Sequence, residues 1–343
     1  MDYALIGEKL SHSYSPNIHN SFFKKNNIDS NYGLIELKKE ELSDFCEKVK
    51  KGSLKGFNIT IPYKEDIFSM VDEIDPKAKT IGAINTVKNC NGKLYAYNTD
   101  YYGYLYSVQK LSVPVKNEKV IVLGNGGSAK AVIEVLKDLG AKEIFLVSRN
   151  PSKTSPEGVT SVSYDKLESI GKASLITNCT PVGMYPNMDS CPIEKSLFKN
   201  YSYAIDLIYN PKETLFLQYA KESGASTLNG LFMLLGQAIK AEELWQNMEI
   251  SMEIMEKYDM VGKMEYGINM VPDRTLEEHR EFMEEIVSMT AYAYQRMQEA
   301  KASPSSAMPL NSGISQITPA AATSVKRYSQ TKFFHFNLYF RIS

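Results

Sequence analysis

Across residues 2–112, short unbroken apolar runs alternate with stretches of helical periodicity. Tyr3-Ala-Leu-Ile-Gly7 reads as a buried first strand. Pro16 fits the first turn of the helix that follows, where its missing N–H costs nothing. Residues 31–37 read as a second strand and 40–50 as an amphipathic helix. Residues 56–61 read as a third strand, stopped by Pro62. Short strands at 83–87 and 94–98 flank an Asn91-Gly92 turn. The alternation predicts an α/β layer structure with a mostly parallel sheet.

The pattern restarts at Lys119. Residues 120–124 form a buried-type strand, 128–139 a helix ending at Gly140, and 143–148 the next strand. Further strands are predicted at 174–179 and 203–207, and helices at 231–245 and 250–258. This is a doubly wound, dinucleotide-binding pattern. After about Val261 the character changes. Residues 276–301 are charged and helix-prone, 302–324 are rich in Ser, Pro and Ala and read as disordered, and 332–342 are basic and aromatic.

Composition narrows the class. With 343 residues, 43% of them hydrophobic, about two domains can bury a sizeable core. A net charge of -1 gives no electrostatic case for nucleic acid or an anionic membrane as partner, so an anionic ligand needs a local constellation. Cys46, Cys90, Cys179 and Cys191 show neither CxxC spacing nor a nearby histidine pair. They fit a reducing compartment better than a disulfide framework or a metal site. No signal peptide and no membrane-spanning run is read in the sequence, so a soluble cytoplasmic enzyme is expected.

Gly124-Asn-Gly126-Gly127-Ser128-Ala129 lies between a predicted strand and a predicted helix. Glycines there let a pyrophosphate approach the N–H groups of the helix start. An ordinary βα turn would look the same; the strand-loop-helix-strand context favours the nucleotide. At the end of the next strand, NAD binders place an acid for the ribose 2′-OH. This chain has Ser148-Arg149-Asn150 with Lys153 nearby, and no acid before Glu157. Arg149 suits a multidentate grip on a 2′-phosphate, which favours NADP.

A second constellation lies in the first block. Ser11-His-Ser-Tyr-Ser-Pro16 crowds hydroxyls before a helix start. Such a cluster serves equally as an N-cap or as a carboxylate clamp. Strand alternation puts Asn58 and Thr60 on one face and Phe57, Ile59 and Ile61 on the other. Lys64, Asn85, Asn98 and Asp100 follow at strand ends, where open α/β sheets bind ligands. A lysine beside an aspartate can act as a proton-transfer pair. Taken singly, each of these residues is an ordinary surface polar group; the functional case is their convergence.

The segments Ser11-His-Ser-Tyr-Ser-Pro-Asn-Ile-His-Asn20, Asn58-Ile-Thr-Ile-Pro-Tyr-Lys64, Gly82-Ala-Ile-Asn-Thr86 and Asn98-Thr-Asp100 resemble the signature segments of shikimate dehydrogenases, in the family's order. So do Asn178-Cys-Thr-Pro-Val-Gly-Met184, Asp206-Leu-Ile-Tyr-Asn-Pro211 and Asn229-Gly-Leu-Phe-Met-Leu-Leu-Gly-Gln237. The resemblance spans residues 1 to about 258.

It implies two α/β domains with a cleft between them: a discontinuous substrate domain (1–100 plus 236–260) and a Rossmann-type NADP-binding domain (101–235), followed by a helical then disordered extension (261–343). Lys64 would be the proton donor, with Asp100 as its partner. Ser13 and Ser15 would hold the substrate carboxylate; Thr60, Asn85, Asp100 and Gln237 its ring hydroxyls; Tyr209 would lie near it from the cofactor side. Gly124, Gly126, Gly127, Ser128 and Ala129 would line the pyrophosphate, with Ser148, Arg149 and Lys153 at the 2′-phosphate. Met184 and Gly230 would lie near the nicotinamide, and Thr180 and Leu207 would also contact the cofactor.

The implied reaction is reversible, metal-free reduction of 3-dehydroshikimate to shikimate in chorismate and aromatic amino-acid biosynthesis, by a monomer or homodimer. Two rivals stay open: a quinate/shikimate dehydrogenase using NAD or NADP, and a non-catalytic dinucleotide-binding regulator. The sequence departs from the family at Ser148-Arg149-Asn150, where Asn-Arg-Thr is usual, and at Lys153, which replaces a second arginine. The 2′-phosphate clamp is expected to be weaker.

Overall fold

The computed structural model describes residues 1–10, 13–25, 27–151 and 157–247, all within a single compact unit of the chain. Ser11, His12, Lys153 and the stretches predicted beyond residue 247 lie outside the described residues.

The first sheet contains β1 (Tyr3–Gly7), β2 (Tyr32–Glu36), β3 (Gly56–Ile59), β4 (Glu73–Ile74), β5 (Thr86–Cys90) and β6 (Lys93–Tyr97), in the order β2-β1-β3-β5-β6-β4. The sheet is mostly parallel, as expected, with one reversed strand. β2-β1, β1-β3 and β6-β4 are parallel, but β5 runs antiparallel to both β3 and β6. The cause is local. Asn91 (φ 53°) and Gly92 (φ 87°) close a tight hairpin in the left-handed region that Asn and Gly tolerate. The reversal matters for the site, because it brings the start of β5 beside the end of β3.

Helices α1 (Ser15–Lys25), α2 (Leu42–Lys50) and α3 (Pro76–Ile81) accompany this sheet. The helix expected from residue 40 opens as a short 3-10 turn, Lys39–Glu41, before α2. α3 escaped the pattern reading, although its signals are plain. Asp75 caps it by accepting from the Lys77 amide at 2.9 Å, and Pro76 occupies its first position. β1 is buried throughout, and Phe57 and Ile59 of β3 sit in the core. Burying such a side chain contributes roughly 1.5–3 kcal/mol. Ile61, expected on the same apolar face, is 73% exposed, because the strand ends at Ile59 and the chain turns at Thr60.

Helix α4 (Asp100–Lys110) leads to the second sheet. This sheet has β7 (Lys119–Leu123), β8 (Glu143–Val147), β9 (Val159–Val162), β10 (Ala173–Asn178), β11 (Tyr201–Asp206) and β12 (Ser226–Leu228). Its order is β12-β11-β10-β7-β8-β9, and every pairing is parallel. The direction of winding reverses between β7 and β10, the switch point at which such sheets bind ligands. Helices α5 (Gly127–Asp138), α6 (Leu167–Ile170) and α7 (Leu215–Glu222) belong to this half.

The last described helix, α8 (Leu231–Gln246), ties the two sheets together. Its N-terminal end is fixed to the loop after β11, where the Gly230 amide donates to Ile208 O at 3.0 Å. Its C-terminal end is fixed at β5, where Trp245 Nε1 donates to Val87 O at 3.0 Å. Between them α8 crosses α4 at Gly103 and Gly236. A Cβ on Gly103 would stand 2.4 Å from Met233 O, so only glycine permits this approach.

Candidate active site

Lys64 and Asp100 meet at the C-terminal edge of β3. Lys64 follows the turn after that strand; Asp100 is the first residue of α4. Lys64 Nζ donates to Asp100 Oδ2, and both side chains are largely buried. The other carboxylate oxygen, Oδ1, accepts from Asn85 Nδ2 at 2.9 Å. Asn85 lies just before β5 rather than at a strand end, and the antiparallel course of β5 delivers it here.

Hydrogen bonds extend outward from this pair. Asn85 Nδ2 also donates to Thr99 Oγ1 at 3.0 Å, and Asn85 Oδ1 accepts from the Thr99 amide at 2.7 Å. Thr99 Oγ1 reaches Gln237 Oε1 at 3.5 Å, and Gln237 Nε2 donates to Leu234 O on α8. Asn58 is buried, donating to Thr86 Oγ1 at 2.9 Å and accepting from Tyr32 OH at 2.7 Å. Asn98 bonds to backbone on either side of it, donating to Ala83 O and accepting from the Tyr101 amide. The sequence reading missed Thr99, Thr86 and Tyr32, whose side chains hold the named residues in place. Thr99 and Thr86 do stand inside the quoted segments.

Ser13 and Ser15 lie half-buried at the start of α1, and the Ser15 amide donates to Ser13 Oγ at 3.3 Å. Thr60 is half-buried beside β1, with its amide bonded to Ile6 O. Tyr14 packs edge-on against Tyr209, which follows β11, with ring centroids 6.1 Å apart. Burial and the nearby Tyr14 raise the Tyr209 hydroxyl above its ordinary pKa. The serines of the first half therefore stand near the tyrosine of the second.

On the second sheet, Gly124 (φ 93°) follows β7 in a conformation that suits glycine. A Cβ there would also strike Thr180 Cγ2 at 2.8 Å. Gly126 precedes α5 in extended backbone and faces open space. No side chain caps the start of α5; the Ala129 amide bonds back to Gly126 O, which leaves the Gly127 and Ser128 amides to face an anion. Ser128 is half-buried and Ala129 buried in the first turn. A Cβ on Gly127 would lie 3.7 Å from Lys64 Cδ, so the lysine stem reaches the glycine loop. Ser148 is buried at the end of β8; Arg149 is exposed and paired with no carboxylate among the described residues. Thr180 and Leu207 are half-buried, Met184 is 46% exposed, and a Cβ on Gly230 would collide with Leu207 O. These features fit a dinucleotide: a glycine cradle open above Gly126, an uncapped helix start, and a guanidinium with which no described acid competes.

Residues 5–87 match the family pattern described as the shikimate dehydrogenase substrate binding domain. A shikimate dehydrogenase (NADP(+)) of Clostridium perfringens is 44% identical over 252 residues, 72% of this chain and 93% of that protein. The crystal structure of a chorismate mutase/shikimate 5-dehydrogenase fusion protein from Clostridium acetobutylicum is similar at 44% identity and TM-score 0.69, covering 75% of this chain and 97% of that one. Shikimate 5-dehydrogenase from Thermus thermophilus, solved in complex with NADP(H) and shikimate, is similar at 30% identity and TM-score 0.67, covering 75% and 97%. Together with the site geometry, these likenesses establish that the chain belongs to the shikimate dehydrogenase family.

Proposed function

We propose that this chain catalyses the reversible NADPH-dependent reduction of 3-dehydroshikimate to shikimate, as a cytoplasmic enzyme. The observation that carries the reading is the Lys64–Asp100 pair, held by Asn85, with the Lys64 stem against the glycine loop. NADPH, when bound, supplies the hydride. Hydride addition leaves negative charge on the ketone oxygen, and Lys64 gives that oxygen its proton. Asp100 keeps the lysine oriented, while Asn85 fixes the carboxylate. Ser13 and Ser15 hold the substrate carboxylate with donors at the start of α1. Thr60, Asn85, Asp100 and Gln237 hold the ring hydroxyls, and Tyr209 closes the site from the second sheet.

Gly124, Gly126, Gly127, Ser128 and Ala129 cradle the pyrophosphate. Ser148 and Arg149 take the 2′-phosphate, with Lys153 assigned there from sequence alone. Met184 and Gly230 lie near the nicotinamide, and Thr180 and Leu207 also contact the cofactor. Residues 1–100 with 236–260 act as the substrate domain and 101–235 as the nucleotide domain. Steady-state kinetics with shikimate and NADP tests the reading. Turnover is expected, with quinate or NAD poorer; turnover of quinate with NAD, and none of shikimate with NADP, would overturn it.

A further inference from the structure

Asp206, the last residue of β11, is fully buried, and no described cation pairs with it. Its carboxylate is held instead by donors from separate segments. Oδ1 accepts from Asn178 Nδ2 and from the Ile208 amide, each at 3.0 Å. Oδ2 accepts from Thr214 Oγ1 at 2.6 Å. Each donor leads toward the nicotinamide end. Asn178 Oδ1 accepts from the Thr180 amide at 3.0 Å and from Thr180 Oγ1 at 2.7 Å, and Thr180 packs on Gly124. Ile208 lies between Leu207 and Tyr209, and its carbonyl accepts from the Gly230 amide. Thr214 lies beneath Gly183, next to Met184: a Cβ on Gly183 would be 3.6 Å from Thr214 Cβ.

We propose that Asp206 is the positioning residue of the cofactor site, one carboxylate that sets the Thr180, Met184 and Leu207–Tyr209 segments relative to the glycine loop. The proposal rests on the NADP-dependent reading above. A buried carboxyl group that joins donors from three segments fixes their backbone, because any of those donors left unpaired would carry its full desolvation cost. A displacement of about 1 Å at a reacting centre can cost on the order of 100-fold in rate. Asp206 never meets substrate or cofactor; it acts through the segments it holds.

The test uses the full chain and the variants Asp206→Asn, Thr214→Val and Thr214→Ser, with NADP titrated directly and both KM values measured. Asp206→Asn is expected to weaken NADP binding roughly tenfold through misplacement of the segments it holds. The KM for shikimate should change less, because Ser13, Ser15 and Thr60 stand on elements that Asp206 does not hold, whereas Tyr209 and the start of α8 lie on the segment it does hold. Thr214→Val should shift NADP binding in the same direction and by less, and Thr214→Ser, which keeps the hydroxyl, should restore it. If Asp206→Asn does not fold, the Thr214 pair carries the test alone. Unchanged NADP affinity in a folded Asp206→Asn or in Thr214→Val overturns the proposal, as does an equal loss for NADP and shikimate. Failure of the underlying reading is distinct: the unsubstituted chain would then not bind NADP.

Discussion

Lys64 and Asp100, 36 residues apart in the chain, share a hydrogen bond at the edge of the first sheet, and Asn85 occupies the second oxygen of the same carboxylate. The aspartate is thus fixed from two sides. The lysine is left with donor capacity to spend on a substrate, since an ammonium carries three N–H groups.

The cofactor preference depends on Arg149, which is exposed and has no carboxylate partner among the described residues. Arg149→Ala should raise the KM for NADP far more than that for NAD. The two KM values, measured at saturating shikimate, check this; equal changes would remove Arg149 from the 2′-phosphate site.

Gly103 is the tightest point between α4 and α8. A methyl group there would press on Met233 O and stand 3.1 Å from the Gln237 amide. Gly103→Ala should cost about 1–3 kcal/mol of stability, the usual range for overpacking a filled core. The KM for shikimate should also rise, because α8 carries Gln237. Denaturant unfolding with parallel kinetics tests both; a variant as stable as the parent would show that the crossing has slack.

Much of this architecture was legible in the sequence. Strands β1, β7 and β8 lie in parallel pairings and are largely buried, so they stand out as continuous apolar runs. The Asn91-Gly92 turn was equally plain. Less legible were elements whose burial depends on distant partners. α4 is tyrosine-rich, and a residue-by-residue reading does not reveal that Gly103 serves a helix crossing. β9 and β12 are short and only partly buried. Lys64 and Asp100 could be named from the segments that carry them, but their contact needs the reversal of β5. The Asp206 brace was out of reach, because Asn178 joins it only once β10 lies beside β11.

Burial pushes the Asp206 carboxyl up from an ordinary 3.8 to about 7, against the lowering effect of its donors. The Cys179 and Cys191 thiols are raised by burial, and the nearby Asp206 raises them further. Between these two pH values the folded chain keeps a proton that the unfolded chain has released. Asp206 therefore favours folding fully at low pH, and that contribution is lost as pH rises through about 7. Asp206→Asn cannot titrate, so its stability should fall less steeply over this range. Unfolding curves at several pH values check the slope; identical slopes would show that Asp206 ionises normally.

A stretch of 252 residues of this chain accounts for 93% of the Clostridium perfringens enzyme. A chain ending at Val261 should therefore fold and keep its kcat and both KM values. Insolubility, or a soluble but inactive product, would give residues 262–343 a part in the enzyme.

The proton-donor role of Lys64 is tested most directly by the kcat of Lys64→Ala. A positioned general acid contributes about 10²–10⁴-fold in rate, so kcat should fall by roughly that factor. The KM for shikimate should change much less, because Ser13, Ser15 and Gln237 remain in place. Asp100→Asn should also lower kcat, and the double variant should fall short of the product of the two effects, since the pair acts as a unit. A Lys64→Ala enzyme that keeps near-normal kcat and loses only shikimate affinity would contradict the account, reducing Lys64 to a binding residue.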